Sequence, residues 1–280
     1  MIKIFLLSFA LFCNYVFIFS QKTPTTADDW YYQGVQQVRE KKFSEAIVSY
    51  SESIKKRPAG SGAFIRRGEA YSFLNDTGNA IKDFTQAIKL APNVTESYLL
   101  RGIVYLSTQN FQQAIEDFSK KIKLDEAASA NAEEAYYYRG LAYAYQQQFD
   151  KAIADLTKAI DSFEVTHTAC PYYPDRGKVY FSQKKYDLAI ADFTNAIKAD
   201  SIRKTVTTTN YFSRGTSYMY ANMFDLAIAD FTTAIKIDPK DIQSIFFRSM
   251  AYCTTGRKEQ AKEDETKVIE LGGNIKNPCQ

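Results

Sequence analysis

The stretch Tyr211–Pro239 reads YFSRGTSYMYANMFDLAIADFTTAIKIDP. It holds two apolar-periodic segments, Tyr211–Tyr220 and Phe224–Ile237, joined by a short turn around Ala221–Met223. Apolar and small residues fall at Tyr211, Gly215 and Tyr218, then at Ala227, Phe231 and Ala234. Steps of three and four residues put each set on one face of an α-helix. Gly215 and Ala227 are small enough for two helices to approach closely, with Tyr218 and Phe231 filling the space beside them. Pro239 ends the second helix and, with Asp238 as N-cap, is expected to open the next. Such a hairpin cannot bury its apolar face alone.

The same pattern occurs seven times. The small position recurs at Gly34, Gly68, Gly102, Gly140, Gly177, Gly215 and Ser249, at spacings of 34, 34, 38, 37, 38 and 34 residues. An alanine follows 12 residues later each time, at Ala46, Ala80, Ala114, Ala152, Ala189, Ala227 and Ala261. A large residue comes next, at Tyr50, Phe84, Phe118, Leu156, Phe193 and Phe231, and turns polar at Glu265. With Trp30, Gly34, Ala46, Tyr50 and Pro58 at its start, the chain resembles the tetratricopeptide repeat family over about residues 27–273. The resemblance implies an all-α fold, a right-handed α-solenoid of about seven helical hairpins. The expected repeats are residues 27–60, 61–94, 95–128, 133–166, 170–203, 208–241 and 242–273. The departures are a missing proline after repeats three to five and a few extra residues in three linkers. Repeat seven, with KEQAKEDETKVIE at 258–270, reads as a polar C-terminal cap closed by Gly272 and Gly273. Residues 274–280 form a tail.

Met1–Ser20, MIKIFLLSFALFCNYVFIFS, has one lysine near its start and an apolar run ending in a small residue. This is the layout of a secretory signal peptide cleaved after Ser20; the alternative is an uncleaved membrane anchor. The expectation is an exported protein, periplasmic or extracellular, with Gln21–Thr26 as a polar leader into the first helix. Formal charge is +3, from 35 basic and 32 acidic residues. That balance supports neither a nucleic-acid surface nor a polybasic membrane patch. Beyond residue 20 three cysteines remain, Cys170, Cys253 and Cys279. They are too few for a disulfide framework, although a Cys253–Cys279 pair would tie down the tail.

A second recurrence lies inside the first. Arg67, Arg101, Arg139, Arg176, Arg214 and Arg248 each precede an aspartate by 16 residues, at Asp83, Asp117, Asp155, Asp192, Asp230 and Asp264. In a hairpin that turns midway, residues so spaced stand at the same height, so they read as structural ion pairs. Repeat one has Gln33 and Ser49 instead. Helix starts are expected at Thr26 with Asp29, Asn93 with Glu96, Asn131 with Glu134, and Asp238 with Asp241. The lengthened linkers, 125–133, 162–170 and 200–209, are polar and read as edge loops; the only histidine, His167, is in one of them.

No catalytic constellation is present: a single histidine, no CxxC, no P-loop, no dinucleotide turn and no nucleophile elbow. A non-enzymatic chain without cofactor or metal is expected. Asn75-Asp76-Thr77 and Asn93-Val94-Thr95 match the N-glycosylation triplet, a pattern that also arises by chance. By the family resemblance, the first helices line a concave groove facing a partner protein's peptide or helix. The positions implied are Tyr31, Ile65, Leu99, Tyr137, Phe212 and Phe246, with Leu141 and Met250 one residue beyond a small position. That set is apolar and aromatic, unlike the Lys, Asn and Arg with which some family members clamp a carboxylate. Either it receives an apolar peptide, or it packs against neighbouring repeats.

Overall fold

The computed structural model describes residues 24–163 and 170–274. The candidate signal segment Met1–Ser20, His167 and Cys279 lie outside these residues. The described chain contains fourteen α-helices and no strand. It divides into two compact units, one ending at Thr108 and one starting at Gln109.

The first unit holds α1 (Ala27–Arg39), α2 (Phe43–Lys56), α3 (Ser61–Phe73), α4 (Thr77–Leu90) and α5 (Thr95–Ser107). The second holds α6 (Phe111–Ala127), α7 (Glu133–Tyr145), α8 (Phe149–Asp161), α9 (Tyr173–Ser182), α10 (Tyr186–Arg203), α11 (Thr208–Tyr220), α12 (Phe224–Ile237), α13 (Ile242–Thr254) and α14 (Lys258–Glu270). Within each unit, helices pack as consecutive hairpins.

The periodic residues are the core. Ala46, Ala80, Ala114, Ala152, Ala189, Ala227 and Ala261 are all 0 % exposed, as are Phe84, Phe118, Leu156 and Phe231. A methyl group added at Gly68 would stand 2.7 Å from the Phe84 ring, and one at Gly215 2.8 Å from the Phe231 ring. The glycine is therefore required by the large residue 16 positions later, not by its own backbone angles.

The turns use a different device. Lys41, Asn75, Gln109, Gln147, Lys184 and Asn222 have φ between 58° and 60°, and Gly256 has 78°. Each stands seven residues after the small position. A left-handed residue lets two orphan carbonyls at the helix end accept backbone bonds: at Gln147, Gln148 N donates to Tyr143 O (2.9 Å) and Gln147 N to Ala144 O (2.9 Å). The same pair of bonds recurs at Lys41, Asn75, Lys184, Asn222 and Gly256. Six of the seven positions are not glycine, so six turns carry the left-handed cost that glycine escapes.

Several expectations need correction. Thr26 and Asp29 do form a reciprocal capping box. The N-cap of α5 is Val94, without a side-chain bond, and not Asn93. Ala132, not Asn131, caps α7, although Asn131 Oδ1 accepts from Glu133 N at 2.8 Å. The N-cap of α13 is Asp241, whose side chain accepts from Ser244 N; Asp238 closes α12, and Pro239 lies in the turn between. Two of the three long linkers are partly helix. Their extra residues extend α6 to 17 residues and α10 to 18. The extension brings polar partners for two buried aspartates. Asp125 meets Lys121 Nζ at 2.7 Å, and Asp200 meets Asn210 Nδ2 at 2.7 Å. Cys170 is a buried free thiol whose pKa burial pushes up. Cys253 is disulfide-bonded.

Two substitutions test this packing. Gly140→Leu places side-chain atoms where Leu156 Cγ already lies 2.9 Å from an ideal Cβ, and is expected to destabilise by about 1–3 kcal/mol or more. Gln147→Gly, which removes the left-handed strain, is expected to raise the melting temperature, by about 0.5–1 kcal/mol of stability. Thermal denaturation of both variants checks the register; a stabilised Gly140→Leu protein refutes it.

Candidate interaction site

From repeat two onward, each first helix carries an arginine held by several partners. Arg139 Nε and Nη2 donate to Asp155 Oδ2 and Oδ1 at 2.7 and 2.8 Å, a parallel bidentate pair. Arg67–Asp83, Arg176–Asp192, Arg214–Asp230 and Arg248–Asp264 repeat this geometry at 2.6–2.8 Å. The remaining nitrogen, Nη1, reaches back to a hydroxyl on the preceding second helix. The pairs are Arg67 to Ser51 (2.9 Å), Arg101 to Thr85 (2.8 Å), Arg139 to Ser119 (3.0 Å), Arg176 to Thr157 (2.9 Å), Arg214 to Thr194 (3.1 Å) and Arg248 to Thr232 (3.1 Å). Aromatic rings three residues before and four after flank the cation, as Tyr136 (5.5 Å) and Tyr143 (5.9 Å) do for Arg139. The aspartates are buried and the arginines nearly so. The expected ion pairs are therefore structural, and no anion-binding row is left over.

The hydroxyl partner has a sequence signal of its own: a serine or threonine directly follows every large residue from Tyr50-Ser51 to Phe231-Thr232. In repeat one, Ser49 Oγ donates to Gln37 Oε1 at 2.7 Å, while Gln33 Oε1 is buried without a partner.

Of the eight groove positions, the structure buries one. Ile65 is 3 % exposed, in a core cluster with Phe64, Phe84 and Val104. Tyr31, Leu99, Tyr137, Leu141, Phe212, Phe246 and Met250 are half-buried. Tyr137 is held on several sides: its hydroxyl donates to Asp175 Oδ2 at 2.8 Å, and its ring stacks on Tyr172 at 4.5 Å. Burial and the neighbouring Asp175 carboxylate push its pKa well above the usual tyrosine value. Phe212 leans on Phe231 (5.9 Å) and Phe247 (5.3 Å). Phe246 and Met250, one helical turn apart on α13, are less committed; Phe246 meets Phe247 edge-on at 5.8 Å.

The two units differ on this face. In the first, Arg66 bridges Glu69 at 2.6 Å and Glu96 at 3.1 Å, so the charges satisfy one another. Burial raises the Glu69 pKa, against the pull of Arg66. In the second, a cleft of about 270 Å³ opens between α9 and α11, lined by Lys178, Phe181, Ser182, Ser213 and Thr216 over a floor of Phe193. Among the described residues no group of three or more His, Cys, Asp or Glu is placed to hold a metal.

Family models described as tetratricopeptide repeat match residues 61–94, 95–127, 133–163, 172–202 and 208–241, more than half of the chain. The chain belongs to the tetratricopeptide repeat family. Among solved structures, this tetratricopeptide repeat protein is similar to PilW, a type IV pilus biogenesis factor. The TM-score is 0.67 at 16% identity, over 79% of this chain and 98% of that one. A tetratricopeptide repeat protein from Parabacteroides merdae gives 0.63 at 17% identity, over 89% and 94%. YrrB, a tetratricopeptide repeat protein with an unusual peptide-binding site, gives 0.57 at 17%, over 70% and 95%. At such identities the likeness is one of fold. No sequence among curated proteins matches the chain.

Removing one member of a buried ion pair leaves the other uncompensated. Arg139→Ala and Asp155→Ala are each expected to destabilise the repeat protein by about 3–5 kcal/mol, and the double variant by less than their sum. Chemical denaturation of the full cycle measures the coupling; strict additivity would separate the two side chains.

Proposed function

We propose that the protein is a non-enzymatic scaffold for protein–protein interaction, taking an apolar peptide or helix of a partner on the first-helix face of its second unit. The observation carrying this reading is the division of labour along each first helix. The small residue and the arginine are consumed by packing, while Leu141, Phe246 and Met250 remain partly exposed and apolar. A peptide-binding site in YrrB, a protein of like fold, supports the class of partner. Tyr137 and Phe212 in the second unit add to this face while partly committed to the core, and Tyr31 and Leu99 take the equivalent repeat positions in the first. Affinity would come from a few apolar anchors and depend weakly on salt, since no cluster of like charge lines this face.

Selection from a displayed random-peptide library tests the reading. The expected ligands are apolar and aromatic, and Phe246→Ala with Met250→Ala is expected to weaken them at least about tenfold, roughly 1.4 kcal/mol, with an unchanged melting curve. Ligands that bind this double variant normally refute the site.

The sequence of Met1–Ser20 supports export, with anchorage as an assembly or secretion factor of the cell envelope as the second reading. Among the described residues no helix is long and apolar enough to cross a membrane. Intact mass of the protein from its native host separates the two. A chain beginning at Gln21 is expected; retention of residues 1–20 would favour the anchor.

A further inference from the structure

The second helices of repeats one to six each dock the helix that follows through recurring contacts, and α14 keeps two of these contacts with nothing seated on them among the described residues. The first is an isoleucine 20 residues after the small position, present in all seven repeats. Ile54, Ile122 and Ile160 pack against the next first helix, on the aromatic residue three before its arginine: Phe64, Tyr136 and Tyr173. Ile122 and Ile160 are 4 % and 3 % exposed, whereas Ile269 on α14 is 64 % exposed. The second is the hydroxyl that accepts the arginine. Ser51 and Thr194 donate to the carbonyls of Ile47 and Ile190, at 2.7 Å each, which turns an oxygen lone pair toward Arg67 and Arg214. Thr266 donates to Lys262 O at 2.9 Å in the same way, is exposed, and meets no arginine among the described residues.

One position has changed. Where repeats one to six place an isoleucine, such as Ile153 against Val179 of the next helix, α14 has the exposed Lys262. Val179 stands three residues after Arg176. A helix seated on α14 in the register of the six existing junctions would thus set an aromatic ring on Ile269, a guanidinium on Thr266 and its position three after the arginine on Lys262.

We propose that the outer face of α14 docks an amphipathic helix of a partner protein with the sequence chemistry aromatic-x-x-Arg-x-x-Asp/Glu. Continuity with the existing junctions specifies the ring and the arginine, and Lys262 specifies the carboxylate. A second copy of this chain is a poorer occupant, because α1 offers Gln33 at the arginine position and Gln36 at the acidic one. This site is separate from the first-helix face and does not depend on it.

The probe is a stapled, fluorescein-labelled peptide with the sequence of Thr208–Tyr220 carrying Ser217→Glu, titrated with the full chain. Saturable binding is expected, weakened at least about tenfold by Ile269→Asp in the protein and by Arg214→Gln in the peptide. Thr266→Val is expected to weaken it less, and Phe246→Ala with Met250→Ala not at all. Because Ile269 is exposed, the Ile269→Asp protein should keep its melting temperature. No saturable binding, or binding indifferent to Ile269→Asp, overturns the proposal. So does a concentration-dependent dimer in sedimentation that Ile269→Asp abolishes, which would give the face to a second copy.

Discussion

A largely buried guanidinium needs an acceptor for each of its nitrogens, and that requirement ties one repeat to the next. The planar fork matches a carboxylate on one edge, so the arginine fixes the distance between the two helices of its own hairpin. Its third nitrogen then needs an acceptor from elsewhere, and the preceding second helix supplies a hydroxyl. Neither the ion pair nor the hydroxyl can be dropped without leaving a desolvated charge. The rings flanking each cation close the site to water and add cation–π attraction. The junction is thereby oriented as well as buried, which apolar packing of Gly, Ala and Phe alone would not ensure.

Because the repeated positions are spent on this frame, chemistry toward other molecules is left to the positions that vary. The two units use them differently. Arg66, Glu69 and Glu96 neutralise one another on the first unit's face, while Leu141, Phe246 and Met250 give the second unit's face apolar positions beside the mixed cleft of Lys178, Phe181 and Thr216. On the function proposed above, a partner guided by charge gains little from either, and one carrying apolar side chains is matched to the second.

The frame was legible in the sequence because it is periodic in one dimension: glycine, alanine, large residue, arginine and aspartate recur at fixed offsets. What escaped depends on three-dimensional context. Asn93 and Asp238 have capping chemistry, but the path of the turn gave those roles to Val94 and Asp241. The linkers around Asp125 and Asp200 look like loops by composition; Lys121, four residues before Asp125 on the same helix, and Asn210, on the helix after Asp200, make helix extension tolerable there. Ile65 and Leu99 share a repeat position, yet their neighbours bury the first and leave the second partly open. The left-handed turns were hidden because Lys, Gln and Asn, rather than glycine, fill six of the seven positions.

The backward reach of the arginines gives the array a direction. A hairpin that opens withdraws its arginine from the hydroxyl before it, but keeps its own aspartate pair. Opening is thus set by nearest-neighbour terms, as in other repeat arrays. The hairpin of α1 and α2 lacks the internal ion pair, having Gln33 and Ser49 in its place. Its amide protons should accordingly exchange with solvent ahead of those in α7 and α8, where Arg139 holds both its own hairpin and the one before.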